Sequence, residues 1–316
     1  MASDRRCQAR PGRVNAMTEP AVDDSEARQA FDRLLGELRP KLHRYCARMT
    51  GSVVDAQDVV QDALVKAMEA YAATPSIANI EAWLFRIAHN TALDFLRRRN
   101  RRESMQSAED VETIVDATNP VSAGEGVHAN MRTLMRLSVA QRSSIILMDV
   151  FGYTEREVSH ILDISVPSVK MALFRGRQRL RELAQEQDNA PQPSLSEADR
   201  SRLTAYVQRF NARDFDSLRE MLAEDVRAEL VNRSQLSGRS ELYARYFYHY
   251  GQSQDWRLAA GFIDDRPAVL VSHPDDPLDR VRYFILLDWV DGKVTRIRDF
   301  VHARYVVEGA QVSTLD

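Results

Sequence analysis

Two stretches of the chain carry enough cationic side chains to bind phosphate. Five arginines fall within residues 97–102, and residues 166–183 hold five cations against one anion. A helix end needs only a few cations to complement its dipole, so phosphate contact explains the first stretch better. The net charge of the whole chain is only −3. Any nucleic-acid-binding role must therefore come from these local clusters.

The residues before the first arginine cluster add an aromatic ring and an amide at helical spacing. Trp83 could present a flat face to an unstacked base, or it could be plain core. Arg86 and Asn90 fall away from the apolar stripe that contains Leu84 and Phe95. The segment therefore predicts a nucleic-acid-binding surface composed of Trp83, Arg86, Asn90, Arg97, Arg98 and Arg99.

An acidic helix precedes this surface. In residues 55–70 the apolar positions fall on one helical face, and acidic and amide side chains fall mainly on the other. The polar face consists of Asp55, Asp58, Gln61 and Asp62. It is either an ordinary solvated face or a docking surface for a basic partner protein.

The second basic stretch follows a helix start and a tight turn. Thr154 and Glu157 have capping-box spacing, and Ser165 can cap the next helix, whose first turn tolerates Pro167. A short helix, a turn and a second helix with a basic outer face are typical of a helix-turn-helix. A structural helical hairpin would share the apolar pattern but would not need the basic face. The predicted DNA-contacting residues are Ser168, Lys170, Met171, Phe174, Arg175 and Arg177.

A third candidate site lies near the end of the chain. Asp299 and His302 share one predicted strand and could act as acid and base. The predicted pocket around them consists of Tyr206, Phe210, Trp256, Phe284, Asp299 and His302. In the alternative, these aromatic residues are plain core and Asp299 is a surface or salt-bridged carboxylate.

The elements that position these residues form three blocks. Helical periodicity covers residues 26–102 and returns at 128–186, with an acidic linker at 103–127 and a Pro- and Gln-containing linker at 187–196. Residues 1–24 are expected to be a disordered tail, within which Met17 is a candidate translation start.

The third block mixes helices and strands. A helix over 197–213, a second short helix and a third helix over 239–250 are predicted. Strands are predicted near 226–231, 256–263, 267–272, 280–290 and 293–304. Asp291-Gly292 supplies a hairpin turn because both positions tolerate positive φ. This order predicts helices packed on a curved antiparallel sheet, an α+β fold.

The remaining composition excludes several classes of protein. Cys7 and Cys46 are the two cysteines, too few for a disulfide framework or a four-cysteine zinc site. The sequence contains no apolar run long enough to span a membrane. We therefore expect a cytoplasmic protein with no membrane contact, and nothing in the sequence implies a cofactor or a metal.

The first block resembles a known family. The motifs DAQDVVQDALVKA and WLFRIAHNTALDFLRRRNRR look like the second conserved domain of extracytoplasmic-function (ECF) RNA polymerase sigma factors. The resemblance implies that Asp55, Asp58, Gln61 and Asp62 contact core RNA polymerase, on its β′ subunit, and that the Trp83 surface binds the minus-ten promoter element as single strand.

The second block resembles the fourth sigma domain, which binds the minus-thirty-five element. Where the family often has Gly-Thr-Val-Lys-Ser-Arg, this chain has Pro167 to Ala172. Lys170 matches the family pattern, but Ala172 stands at the usual arginine position. The base preference of relatives therefore cannot be transferred to this chain.

The third block resembles SnoaL-like domains, through the phrases NARDFDSLREMLAEDV and DGKVTRIRDFVHARYV. The implied architecture is two all-α sigma domains, a helical bundle (25–102) and a helix-turn-helix (128–186), plus a cone-shaped α+β SnoaL-like domain (197–316). The implied function is promoter-specific initiation with core polymerase (β and β′ subunits) and promoter DNA as partners. The protein is then no enzyme, and its last domain tunes activity through an intramolecular contact or a small-molecule ligand. The alternative is a ligand-sensing or enzymatic domain fused to a DNA-binding module that acts without polymerase.

Overall fold

The structure is a computed structural model that describes residues 24–71, 73, 77–106, 131–186, 194–277 and 280–315. The chain divides into two compact units, Met1–Glu37 and Leu38–Asp316. The predicted tail, apart from its last residue, and most of the two predicted linkers fall outside the described residues.

The first block is helical, as its periodicity predicted, and it consists of three helices. They are α1 (Asp24–Thr50), α2 (Val53–Tyr71) and α3 (Ile80–Gln106). Most of the apolar positions of α2 are buried, among them Val59, Val60 and Leu64, whereas Val65 and Met68 are exposed. Helix α3 runs four residues into the predicted acidic linker, so the arginine cluster belongs to a continuous helix.

The second block forms the predicted helix-turn-helix. Its elements are α4 (Met131–Met135), α5 (Val139–Ile145) with a π-helical continuation (Ile146–Val150), α6 (Glu155–Leu162) and α7 (Val166–Leu183). Both halves of the Thr154–Glu157 capping box are present, and the Ser165 hydroxyl accepts from the backbone N–H of Ser168. Between them Asp163 adopts left-handed backbone geometry with φ 57°, which ends α6 sharply enough to turn the chain.

The two helical blocks pack against each other, which the sequence pattern did not indicate. Phe85 of α3 meets Phe151 and Tyr153 edge to face, at ring-centroid distances of 5.6 and 5.4 Å. Beside these rings, the Glu81 carboxylate accepts hydrogen bonds from the Lys41 ammonium and the Tyr153 hydroxyl. Aromatic contacts of this kind stabilise a packed arrangement by about 1 kcal/mol each beyond area burial.

The C-terminal region, residues 197–315, has the predicted α+β composition. Its helices are α8 (Glu197–Asn211), α9 (Phe215–Met221), α10 (Arg239–Glu241), a π-helical segment (Leu242–Phe247) and α11 (Tyr248–Gln252). Its strands are β1 (Leu222–Leu230), β2 (Ser234–Ser237), β3 (Arg257–Ile263), β4 (Arg266–Ser272), β5 (Tyr283–Val290), β6 (Lys293–Asp299) and β7 (Val312–Thr314).

The strands form one sheet in the order β2-β1-β6-β5-β4-β3-β7. The prediction of a purely antiparallel sheet is wrong, because β1 pairs with β6 in parallel. Hairpin turns fix the direction of neighbouring strands, whereas the long connection between β1 and β6 leaves their relative direction open to tertiary packing. The β5–β6 hairpin turns at Asp291 and Gly292, both at positive φ as predicted.

Strand β6 ends at Asp299, short of the predicted residue 304. The chain then turns through Val301 and His302 and forms a 3₁₀ helix over Arg304–Val307. No helix in the described ranges is long and apolar enough to cross a bilayer.

Candidate functional site

The outer face of α7 is open to solvent. All six side chains predicted there to contact DNA belong to exposed residues, and Phe174 is 66% exposed. Lys170 and Arg177 pair with Glu155 and Asp149, at 3.3 and 2.5 Å. Arg175 has no carboxylate partner among the described residues. In a DNA-binding helix, an exposed aromatic ring can contact the edge of a base, and the cations beside it can contact phosphates.

Ala172 occupies the position where the family pattern has an arginine. It is only 9% exposed and lies on the buried face of α7. The neighbouring Gly176 allows α5 to come close, because a Cβ there would lie 2.6 Å from Cδ1 of Ile145. An arginine at position 172 would therefore have to leave this interface to meet DNA.

The second predicted DNA surface, on α3, is only partly open. Asn90, Arg97 and Arg98 are exposed, and Trp83 is half-buried. The guanidinium of Arg86 pairs with Asp163 at 3.1 Å. Arg99 points away from the others, because its guanidinium donates to the backbone oxygen of Thr50 at 3.0 Å and lies 3.9 Å from the Asp55 carboxylate.

The acidic face of α2 is split between solvent and protein. Gln61 and Asp62 are exposed. Asp55 is only 9% exposed, and its carboxylate forms an ion pair with Nη2 of Arg266 at 2.7 Å. One turn later, the Asp58 carboxylate forms an ion pair with Nη2 of Arg298 at 2.6 Å. Both arginines belong to the C-terminal sheet, so that region buries Asp55 and pairs with Asp58, whose side chain remains 52% exposed.

Gln57 forms the centre of this contact. Its amide nitrogen donates to Oδ1 of Asn232, and its amide oxygen accepts from the Tyr305 hydroxyl, both at 2.9 Å. Nδ2 of Asn232 donates to the Tyr305 hydroxyl at 3.0 Å, which closes a ring of three hydrogen bonds. Gln57 is fully buried, so these bonds satisfy both of its polar atoms.

The β3–β4 turn closes the amino-terminal end of α2. Asp264 and Asp265 both have positive φ, at 47° and 65°, and form a two-residue hairpin turn. The Asp264 carboxylate accepts from the backbone N–H of Val53 at 2.7 Å, where a helix end favours negative charge. Burial nevertheless raises the pKa of Asp264, and burial also raises that of Asp58 against the opposing effect of Arg298.

Sequence reasoning missed these covering residues for different reasons. The Asp264-Asp265 pair between two apolar strands is a turn signal that the pattern carries. Arg266, Arg298, Asn232 and Tyr305 carry no such signal, because their partners lie about two hundred residues away in the chain. Gln57 was overlooked on α2 because it lies between the two aspartates, on neither of the faces considered.

Known protein families match both helical blocks. Residues 34–102 match the family model described as Sigma-70 region 2, and residues 131–180 match Sigma-70, region 4. The ECF RNA polymerase sigma factor SigM of Mycobacterium tuberculosis is 33% identical over 156 residues, which cover 49% of this chain and 78% of SigM. The chain belongs to the ECF RNA polymerase sigma factors.

Two solved structures are similar to this chain in part. The ECF sigma factor SigJ of M. tuberculosis is 20% identical, with 85% of this chain and 95% of that chain covered and a TM-score of 0.34. An NTF-2 like protein of Burkholderia xenovorans is 20% identical, with 33% of this chain and 81% of that chain covered and a TM-score of 0.27.

Family membership assigns the predicted surfaces to named regions of the sigma factor. Helices α2 and α3 belong to region 2, and the helix-turn-helix of α6 and α7 belongs to region 4. The prediction of a transcription initiation factor with two sigma domains and a C-terminal α+β region is confirmed. This leaves the C-terminal region of the sigma factor, which neither sigma family model matches.

The predicted C-terminal pocket needs correction. A cavity of about 460 Å³ does exist, but only Trp256 and His302 of the six predicted residues line it. Tyr206, Phe210, Phe284 and Asp299 are fully buried instead. The aromatic residues pack on other rings, as Phe210 does on Trp256 at 5.2 Å, and Asp299 lies beneath the cavity as an acceptor for two tyrosines.

Proposed function

We propose that this sigma factor binds core polymerase through α2, and that its own C-terminal region holds it inactive by covering that helix. One observation carries the proposal: Asp55 and Asp58, which resemble polymerase contacts, are paired with Arg266 and Arg298. A carboxylate that already has a guanidinium partner is a poor ligand for a second basic surface. Polymerase and the C-terminal region therefore compete for the same face.

The packing of the sigma regions supports an inactive state independently. The positions that name the minus-ten and minus-thirty-five elements are about 25 base pairs apart, which at 3.4 Å per base pair is roughly 85 Å along the duplex. In this structure region 2 and region 4 touch, with Phe85 and Phe151 rings 5.6 Å apart. They cannot contact both elements in that arrangement. Opening therefore has to break the Phe85 contacts and the Arg86–Asp163 pair.

We assign roles to the surfaces accordingly. Asp55, Asp58, Gln61 and Asp62 contact the polymerase, on its β′ subunit. The α7 face binds the minus-thirty-five element as duplex, and the surface of Trp83, Asn90 and the exposed arginines binds the minus-ten element as single strand. The domains comprise residues 25–102, 128–186 and 197–316, and the protein acts in the cytoplasm, where polymerase works. The factor performs no chemistry itself.

Two arginines on β6 provide a matched test. Arg296 and Arg298 both pair with Glu229, at 3.0 and 3.2 Å, but only Arg298 reaches Asp58. Arg298→Gln removes a partly exposed ion pair worth about 1 kcal/mol, which corresponds to about fivefold in the closed-to-open ratio. Run-off transcription with purified core polymerase should rise about fivefold for Arg298→Gln and stay unchanged for Arg296→Gln.

Equal transcription from both variants and the wild type, at equal melting temperature, would overturn the proposed autoinhibition. A different result addresses the sigma function itself. If the full-length protein and Arg298→Gln both bind duplex promoter but support no initiation with core polymerase, the factor acts as a DNA-binding module alone. In that case the acidic face of α2 would not bind core polymerase.

A further inference from the structure

The cavity in the C-terminal region has a strongly basic mouth. The residues that line it include four arginines and two histidines, namely Arg233, Arg245, Arg282, Arg304, His249 and His302. The lining contains a single carboxylate, Asp255, which accepts from the Ser253 hydroxyl. A concave basic surface of this kind concentrates anions.

Two of these arginines have no carboxylate partner in the part of the chain that the structure describes. Arg245 and Arg282 are neutralised by Glu241 and Asp276. In contrast, Arg233 meets only a histidine, His302, at 3.1 Å. Nε of Arg304 donates to a backbone oxygen at 3.3 Å, and its guanidinium lies 5.7 Å from the centroid of the Tyr283 ring.

The pKa of His302 is consistent with this excess of positive charge. Burial lowers it, as do the neighbouring Arg233, His249 and Arg304, and a lower pKa favours the neutral imidazole. The ring nitrogen that accepts from Arg233 needs that neutral form. The guanidiniums of Arg233 and Arg304, which lack a carboxylate partner among the described residues, can therefore pair with an incoming anion.

The floor of the cavity is aromatic. Trp256, Tyr246, Tyr250 and Tyr283 are buried and line the cavity. The hydroxyls of Tyr246 and Tyr250 donate to Asp299 at 2.8 and 2.7 Å. Since these hydroxyls already have an acceptor, the floor offers mainly ring surface to a ligand.

We propose that this cavity binds a small molecule that carries a carboxylate or phosphate group on an aromatic body. The anionic group pairs with Arg233 and Arg304 at the mouth, and the ring packs on Trp256 and the tyrosines below. A volume of about 460 Å³ is within the usual range for small-ligand sites. It is too small for a folded protein partner.

The site adjoins the contact with α2. Arg233 directly follows Asn232, Arg304 directly precedes Tyr305, and His302 lies three residues before Tyr305. Asn232 and Tyr305 are the residues that hold Gln57. A ligand that draws Arg233 and Arg304 toward itself therefore acts on the two segments that cover the polymerase-binding face.

The test measures binding to the full-length protein without polymerase, so its failure would leave the proposed autoinhibition untouched. The probes are 2-naphthoate, 2-naphthyl phosphate and the neutral 2-naphthamide, each titrated by calorimetry. The variants are the double substitution Arg233→Gln with Arg304→Gln, and Arg227→Gln as a control on an exposed arginine outside the cavity. Melting temperatures establish that each variant is folded.

At least one naphthyl anion should bind with one-to-one stoichiometry and about tenfold more tightly than the amide. The double variant should lose about tenfold in affinity, while the Arg227 variant should bind like the wild type. The anion that binds more tightly identifies the preferred acidic group. Equal affinity for anion and amide, equal affinity of the double and control variants, or no binding by any probe would overturn the proposal.

Discussion

Removal of one hydroxyl should release the polymerase-binding helix. Tyr305→Phe keeps the ring, which packs edge to face on His43 at 5.3 Å, and deletes the oxygen that joins Gln57 and Asn232. The Gln57 amide oxygen then loses its donor while its residue stays fully buried. Asn232 is an exposed residue, so water can replace its lost partner.

The cost falls on the covered state alone. A buried acceptor without a partner costs about 1–3 kcal/mol, whereas in the uncovered state water satisfies Gln57. A central value of about 2 kcal/mol shifts the covered-to-uncovered ratio about 30-fold. Because apparent affinity scales with the binding-competent fraction, core polymerase should bind the variant up to about 30-fold more tightly when the covered state dominates.

Equilibrium binding of labelled full-length protein to core polymerase measures this shift. Tyr243→Phe is the matched control, because its hydroxyl bonds to Asp216 on the surface of the same region. Faster hydrogen exchange of the α2 amides in Tyr305→Phe should accompany the tighter binding. Unchanged affinity and unchanged exchange in a folded variant would refute the role assigned to the Gln57 ring of hydrogen bonds.

Three further predictions test other parts of the molecule. Arg175→Gln should weaken binding to promoter duplex and reduce the slope of log K against log salt by about 0.9, the value of one phosphate contact, in a salt titration. Phe151→Ala should separate region 2 from region 4, seen as lower energy transfer between dyes on α3 and α7; unchanged transfer would show that the Phe85 contact does not hold the regions together. Burial lowers the pKa of His43 and His89 to about 4, so the unfolded chain binds more protons between pH 6.5 and 4. The free energy of unfolding from urea melts should therefore decrease as the pH is lowered from 6.5 to 4, by up to about 1.4 kcal/mol per pH unit for each histidine. His89→Gln should make this decrease shallower.

The sequence alone was sufficient for the sigma architecture, because its determinants are local. Helix periodicity, the Thr154 capping box and the Ser165 cap depend on residues within one turn of each other, and each appears in the structure as predicted. The exposed basic face of α7 follows from the same periodicity. The Asp291-Gly292 hairpin depends on two adjacent residues.

Only tertiary structure decided what the acidic helix touches. Sequence placed Asp55 and Asp58 on one polar face of α2, but solvent, polymerase and another part of the chain are equally compatible with that pattern. Arg266 and Arg298 reach them from about two hundred residues away, and no local signal encodes such a pairing.

The same limit applies to the cavity. Aromatic residues that share a strand pattern divide between core and cavity lining according to how the sheet curves. Phe284 became core and Tyr283, its neighbour, became cavity wall, because successive strand residues point to opposite faces and only the packed sheet determines which face is closed.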